Sequence, residues 1–184
     1  MITIRPANIN DAANINIMHV DTWRTAYKGI MPEKILADLS YEKREPLWHD
    51  ILSETSDETV LVAETRERQI VGFVTGGKER GNYPLFKSEL YGIYILKEWQ
   101  RQGIGRRLVH ELVKTLIERG FDTMLLWTLK EIPACAFYEQ LGGEKIAEGI
   151  IEIEAIQFVK VAYGWKDLQA LATLTAGHIT NTNI

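Results

Sequence analysis

Cysteine is almost absent from this sequence of 184 residues, because Cys135 is the only one. A single cysteine forms no disulfide within the chain and supplies no cysteine-rich ligand set for structural zinc. The four histidines are scattered, and none has a ligand spacing such as His-Glu-x-x-His. We therefore expect a reducing, cytoplasmic environment and no metal site.

An excess of basic residues and long apolar runs are also missing. Lys and Arg number 21 against 25 for Asp and Glu, which gives a formal net charge of −4. This balance disfavours nucleic acid and anionic lipid as main partners. The stretch from Met1 to Pro6 alternates and then becomes polar, unlike a signal peptide or a membrane-spanning segment. We expect no nucleic-acid partner and no membrane partner.

The composition is that of a globular protein, with 46% hydrophobic and 25% charged residues. A chain of this length suits one domain with a short appendage. We place the domain at residues 1–165 and a C-terminal appended helix and loose tail at residues 166–184.

Apolar periodicity predicts a mixed chain of helices and strands. Helical spacing begins at Ala12, resumes after the N-cap candidate Ser40, and is clearest from Gly103 to Arg119. A short helix is expected from Pro133 to Leu141. Strand-type runs are expected near residues 2–5, 59–63, 70–75, 89–95, 123–128, 145–151 and 153–163.

The segment Gln100-Arg-Gln-Gly-Ile-Gly105 lies between a predicted strand and the clearest helix. Its successive backbone N–H groups would converge at the helix N-terminus, where the helix dipole favours phosphate. The side chains of Gln100, Arg101, Arg106 and Arg107 would add donors. The spacing is not that of a nucleoside-triphosphate phosphate loop or a dinucleotide fingerprint, and a glycine-rich cap without ligand is the alternative.

The order of these elements, together with Gln100, Gly103 and Gly105 in a Gln-x-x-Gly-x-Gly pattern, resembles the GCN5-related N-acetyltransferase family from Met1 to Trp165. The resemblance implies the acyl-CoA N-acyltransferase fold. This is an α/β (α+β) fold with a mixed, largely antiparallel central sheet of about seven strands. The sheet splays between its fourth and fifth strands, and helices flank both faces.

The resemblance also implies acetyl-CoA as acetyl donor, without a metal. The loop formed by Arg101, Gln102, Gly103, Ile104, Gly105 and Arg106 would bind the pyrophosphate through backbone amides, next to Gln100. The backbone of Ile93 and Ile95 would pair with the pantetheine arm and orient the thioester.

A second pattern of the same family is partly met by Ala134, Phe137, Tyr138 and Gly142. By resemblance, the Tyr138 hydroxyl lies near the departing sulfur and acts as general acid, although a half-buried core tyrosine is the alternative. Two positions depart from the pattern, because Glu131 replaces an asparagine and Gly143 replaces a phenylalanine. Pantetheine contacts and packing are open questions at these two positions.

The implied acceptor is a primary amine of a small molecule or peptide, which attacks the thioester directly in a ternary complex. An alkyl amine is only about 0.1% neutral at pH 7, so a base or a water chain must remove its proton. Glu89 is the candidate base by resemblance, with Tyr91 as the alternative on the same strand face. Glu89 as a solvent-exposed edge carboxylate is equally compatible with the sequence.

Trp23 and Tyr27 stand four residues apart on one predicted helix, so they would form an aromatic wall over the amine or else belong to the core. Cys135 is expected to pack rather than to form an acyl-enzyme. Two further possibilities stay open from the sequence: a homodimer, and a non-catalytic acyl-CoA-binding or interaction module with the same fold.

Overall fold

The computed structural model describes residues 1–53 and 56–177, whose strands form one seven-stranded sheet. The strand order is β1-β2-β3-β4-β5-β7-β6. The strands are β1 Thr3–Pro6, β2 Thr59–Glu64, β3 Ile70–Lys78, β4 Ser88–Ile95, β5 Met124–Leu129, β6 Glu144–Ile153 and β7 Ile156–Trp165. The helices are α1 Ala12–Ala26, α2 Glu33–Ala37, α3 Tyr41–Ile51, α4 Ile104–Glu118, α5 Cys135–Gln140 and α6 Leu168–Ala176.

The only parallel neighbours in this sheet are β4 and β5, and they separate almost at once. They pair at Ser88 with Met124 and at Glu89 with Leu125, and no further register pair follows. Beyond this point β4 stays paired with β3, while β5 pairs with β7 along its whole length. A slot therefore opens between the two strands, which confirms the predicted mixed, largely antiparallel sheet that splays between its fourth and fifth strands.

The two faces of the sheet carry different helices. Helices α4, α5 and α6 pack with β2 to β5 and β7 in the larger core cluster. Helices α1 and α3 cover β2 and β3 on the opposite face, around Phe73 and Trp48. The apolar stripe predicted for α4 is buried from Ile104 to Leu116, and its last member, Ile117, is partly buried. None of the helices in the described ranges has the length and apolar character needed to cross a bilayer.

A bulge in β4 changes which side chains share a face. Thr75 pairs with Gly92 and Gly76 pairs with Leu90, so Tyr91 is the extra residue. A bulge shifts the alternation of side chains by one position. Leu90 therefore joins the α4-side core with Ile93 and Ile95, whereas regular alternation from Glu89 to Ile95 would have placed it on the opposite face. A sequence pattern assumes that side chains alternate regularly along a strand, so it does not locate a bulge.

The C-terminal helix α6 packs along α4. Leu168 and Leu171 are buried in the same cluster as the α4 stripe, and His110 Nδ1 lies 2.9 Å from the buried Thr175 Oγ1. The β6–β7 hairpin turns at Glu154 and Ala155, both at positive φ, two residues later than predicted because neither is a usual turn residue. Residues 178–184 of the predicted tail lie outside the described residues.

Candidate active site

The N-terminus of α4 carries a set of backbone N–H groups without partners. Gly103 is the N-cap residue at φ 79°, and Arg101 is also left-handed at φ 63°. The first turn of a helix has no intrahelical acceptors for its N–H groups, and Gly103 has no side chain to cap them. In the described part of the chain, no acceptor bonds the N–H groups from Arg101 to Arg106. This concave set of donors suits an anion.

Gly103 and Gly105 are needed for different reasons. The left-handed backbone at Gly103 disfavours most side chains, although a Cβ there would meet no atom within 4 Å. A Cβ on Gly105 would lie 3.2 Å from Ile95 Cδ1 and 3.3 Å from Phe137 Cζ. Gly105 therefore lets α4 approach both β4 and α5, which brings the N–H groups to the mouth of the slot.

Most polar side chains around this loop are used inside the protein. The Gln100 amide donates to the carbonyl of Ile95 at 2.9 Å, and the Gln102 amide donates to Glu98 at 3.0 Å. Arg106 reaches the carbonyl of Leu174 at the end of α6, 3.3 Å away. Arg107 donates to the carbonyl of Ile2, just before β1, at 2.9 Å. Backbone amides thus dominate the anion-binding surface.

The edge of β4 faces the slot with unpaired backbone. The Leu96 N–H donates to the Val71 carbonyl on β3. In an antiparallel pair the backbone groups of successive residues point alternately towards and away from the partner strand, so those of every second residue before Leu96 point towards β3 and those of the residues between point away from it. Ile93 and Ile95 are those residues, and their N–H and C=O groups face the gap left by β5. The Ile95 carbonyl accepts from Gln100, whereas the groups of Ile93 are open to an extended ligand.

Tyr138 on α5 is buried and lies on the α4 side of the slot. Burial raises the pKa of its phenol well above the usual range, and interaction with Tyr94 adds to the rise. Its hydroxyl therefore keeps its proton at neutral pH. The Cys135 thiol points to the carbonyl oxygens of Leu129 and Lys130, 3.6 Å from each.

The departure from the family pattern at Gly143 has a structural explanation. A Cβ on Gly143 would lie 2.8 Å from the Trp165 ring and 3.0 Å from the Tyr138 carbonyl. The Trp165 indole N–H donates to Leu141 at 2.8 Å and the ring is buried in the core. The indole of β7 thus fills space beside the end of α5. Glu131 is exposed in the loop before α5.

The other side of the slot is lined by aromatic residues of α1 and β4. Trp23 and Tyr27 stack edge to face with ring centroids 4.9 Å apart. Tyr27 is only 8% exposed and packs with Leu129, so it belongs to the core, whereas Trp23 is half-buried under the Arg44 guanidinium. Burial raises the pKa of Tyr27, and its interaction with Tyr94 contributes to the rise.

Sequence reasoning missed Tyr94 and His19 as members of this aromatic wall. The His19 ring lies 4.6 Å from the Tyr94 ring and contacts three further aromatic rings edge to face. Neither of its nitrogens, both buried, has a hydrogen-bond partner among residues 1–53 and 56–177. Burial, assisted by the positive charge of Arg44, lowers the pKa of His19 to about 3. The one sequence feature that could have indicated Tyr94 is its position between Ile93 and Ile95 on the predicted strand.

Glu89 lies where β4 and β5 separate, and it is buried rather than exposed. Its carboxylate accepts from the Arg80 side chain at 2.9 and 3.2 Å and from the Arg80 backbone N–H at 3.2 Å. The Arg80 guanidinium also stacks on the Tyr91 ring, 3.6 Å from its centroid. Tyr91 donates to the Lys78 carbonyl at 2.6 Å. The two candidate bases therefore share one arginine, which the sequence did not indicate.

Within residues 1–53 and 56–177, no group of three or more His, Cys, Asp or Glu side chains is arranged to hold a metal ion.

Comparisons with known proteins relate this chain to a family and a fold. The sequence model of the acetyltransferase (GNAT) family matches residues 21–143. The uncharacterized N-acetyltransferase YuaI of Bacillus subtilis (strain 168) is 37% identical over 174 residues, which cover 95% of this chain and 98% of YuaI.

Solved structures share the fold at low sequence identity. The paia N-acetyltransferase of Thermoplasma acidophilum, in complex with coenzyme A, has a TM-score of 0.65 at 19% identity, covering 90% of this chain and 99% of that one. The yncA protein of Salmonella typhimurium, with its cofactor acetyl-CoA, has a TM-score of 0.67 at 18% identity, covering 91% of this chain and 94% of that one.

The buried His19 predicts a loss of stability in mild acid. His19 is neutral in the folded protein, and its pKa in the unfolded chain is about 6.5. Unfolding therefore takes up a proton below that pH, and stability contributed at neutral pH is lost as the pH falls from about 6.5 towards 3. From pH 7 to pH 5 the expected loss in the free energy of unfolding from this residue is about 2 kcal/mol.

Urea unfolding at both pH values measures this loss. The His19→Phe variant should lack it, whereas the control His49→Gln, at an exposed position on α3, should keep it. Equal pH dependence in wild type and His19→Phe would contradict a buried neutral imidazole.

Proposed function

The chain belongs to the acetyltransferase (GNAT) family, and on that basis we propose that it transfers the acetyl group of acetyl-CoA to a primary amine of a small molecule or peptide. The observation that carries the proposal is the set of free N–H groups from Arg101 to Arg106 at the mouth of the slot. When these groups bind the diphosphate of an extended ligand, the rest of the ligand extends along the unpaired edge of β4.

The pantetheine arm fits the open backbone of Ile93. An amide-bearing chain extends a sheet by pairing with an exposed strand edge, and β4 offers such an edge only where β5 has moved away. The thioester would then reach the middle of the slot, between Tyr138 on one side and the aromatic residues of α1 on the other.

Direct attack by the amine needs two proton movements. The amine must lose a proton, for which Glu89, Tyr91 or a water chain is available, and the departing CoA thiolate must be stabilised. Because burial raises the pKa of Tyr138, its phenol is a weak acid and a durable hydrogen-bond donor. We assign Tyr138 to donate a hydrogen bond to the developing thiolate. The thiolate then receives the proton as CoA leaves, and the Tyr138 hydroxyl is restored from solvent.

Gly103→Asp should weaken acetyl-CoA binding by about 30-fold or more, because a carboxylate beside the pyrophosphate adds about 2 kcal/mol of repulsion. Isothermal titration calorimetry with acetyl-CoA and with CoA measures the change. Gly103→Asn is the matched control, since Asn and Asp both tolerate left-handed backbone and the position has room for either. The control should bind within about threefold of wild type. Wild-type protein that does not bind at millimolar acetyl-CoA would refute the donor assignment.

Tyr138→Phe should lower kcat by about 10- to 100-fold with little change in the KM for acetyl-CoA, because the lost hydrogen bond acts on the thiolate that forms during reaction. Thiol release in a panel of amines provides the measurement. Tyr163→Phe is the control, since Tyr163 on β7 lies beside Tyr138 and donates its hydroxyl to Glu139 of α5 at 2.9 Å. Full turnover by Tyr138→Phe would remove this role.

Glu89→Gln should lower kcat/KM by about 100-fold if Glu89 removes the amine proton. Glutamine keeps an oxygen for Arg80 and so preserves the local packing. Glu144→Gln is the control, because Glu144 is an exposed carboxylate paired with Lys166, away from the slot. An unchanged kcat/KM in Glu89→Gln would leave Tyr91 or a water chain as the base. Tight binding of acetyl-CoA without turnover on any amine would favour the non-catalytic module.

A further inference from the structure

An open cavity of about 510 Å³ lies beside Glu89, at the point where β4 and β5 separate. Trp127 lines it from the part of β5 that has already left β4, so the cavity borders the slot on the side away from α4. The lining comes from the loop after β3, from β4 and β5, and from the β6–β7 hairpin, and its charged and indole side chains are Glu79, Arg80, Glu89, Trp127, Glu148 and Lys160.

The carboxylates around this cavity already have partners. Glu79 accepts from the backbone N–H groups of Gly81, Asn82 and Tyr83, and so closes its own loop. Glu89 is held by Arg80 through the contacts described above. Glu148 forms an ion pair of 2.8 Å with Lys130. None of the three offers an unpaired negative charge to a ligand.

Lys160 is different, because among the described residues no carboxylate lies within ion-pair distance of its ammonium. The ammonium is held over the Trp127 ring, 4.3 Å from the centroid, and its stem contacts Gly149. A cation–π contact stabilises the position of the charge but does not neutralise it. Lys160 is therefore the one cation of the lining without a carboxylate partner among the described residues, whereas the Glu79 carboxylate is occupied by three backbone N–H groups of its own loop. The aromatic face of the cavity is already taken by the Lys160 ammonium.

We infer that this cavity receives the acceptor and that the acceptor carries an anionic group, a carboxylate or a phosphate, in addition to its amine. Lys160 binds the anionic group while the amine lies near Glu89 and the thioester. This inference rests on the proposed function and names its substrate class. A diamine would place its second cation beside Lys160, which disfavours polyamines despite the net charge of −4.

The test compares amines that differ only at the far end: γ-aminobutyrate with its amide, and γ-aminobutyrate with putrescine. In the thiol-release assay, the carboxylated member of each set should have at least about a 10-fold higher kcat/KM. Lys160→Met, which keeps contact with Trp127, should lower that value about 10-fold through KM while the amide changes little. Lys160→Glu should favour putrescine. Lys114→Met, on the exposed surface of α4, is the control and should behave as wild type.

Calorimetry of the CoA-loaded protein with the same amines separates this inference from the proposed activity. Binding of carboxylated amines that is lost in Lys160→Met supports the inference even without turnover. Turnover that is indifferent to the far-end charge, in wild type and Lys160→Met alike, overturns the inference and leaves the acetyltransferase proposal intact. Failure of carboxylated amines both to bind and to react also overturns it.

Discussion

The separation of β4 from β5 after two residue pairs governs the rest of this structure. Backbone groups inside a protein need partners, and a parallel neighbour would have satisfied those of Ile93 and Ile95. Because β5 instead pairs with β7, one edge of β4 remains open within an otherwise continuous sheet. The opening is at once the weakest place in the sheet and the one able to bind an extended ligand.

Packing around α4 keeps this opening aligned with the anion-binding N–H groups. Gly105 allows the helix to contact β4 and α5 closely, and the buried α4 stripe is covered by the sheet and by α6. Trp165 fills space at the end of α5, where its ring contacts Gly143 and its indole N–H bonds Leu141. Rigid supports of this kind hold a binding site more accurately than loops do.

The interior of the slot and the end at which β4 and β5 separate differ in polarity. Burial raises the pKa of the phenols of Tyr138, Tyr94 and Tyr27 and lowers the pKa of His19, so all four side chains are neutral at physiological pH. Apart from the Arg44 guanidinium over Trp23, formal charge lies where β4 and β5 separate, because Arg80 and Glu89 pair there and Lys160 has no counter-ion among the described residues. A neutral interior suits the thioester, and a charged entrance suits an amine that enters as a cation.

Local patterns determined much of this protein, because helix periodicity, strand alternation and glycine spacing act over a few residues. They predicted the α4 helix, the N–H groups at its start and, with the family resemblance, the splayed sheet, which the structure confirmed. The roles assigned to Tyr138, Glu89 and the Gln100–Arg106 loop stay predictions. Only tertiary structure decided the bulge at Tyr91, the burial of Tyr27, the Arg80–Glu89 pair and the isolation of Lys160. These depend on which distant strands and loops become neighbours, and such contacts leave no periodic signal in the sequence.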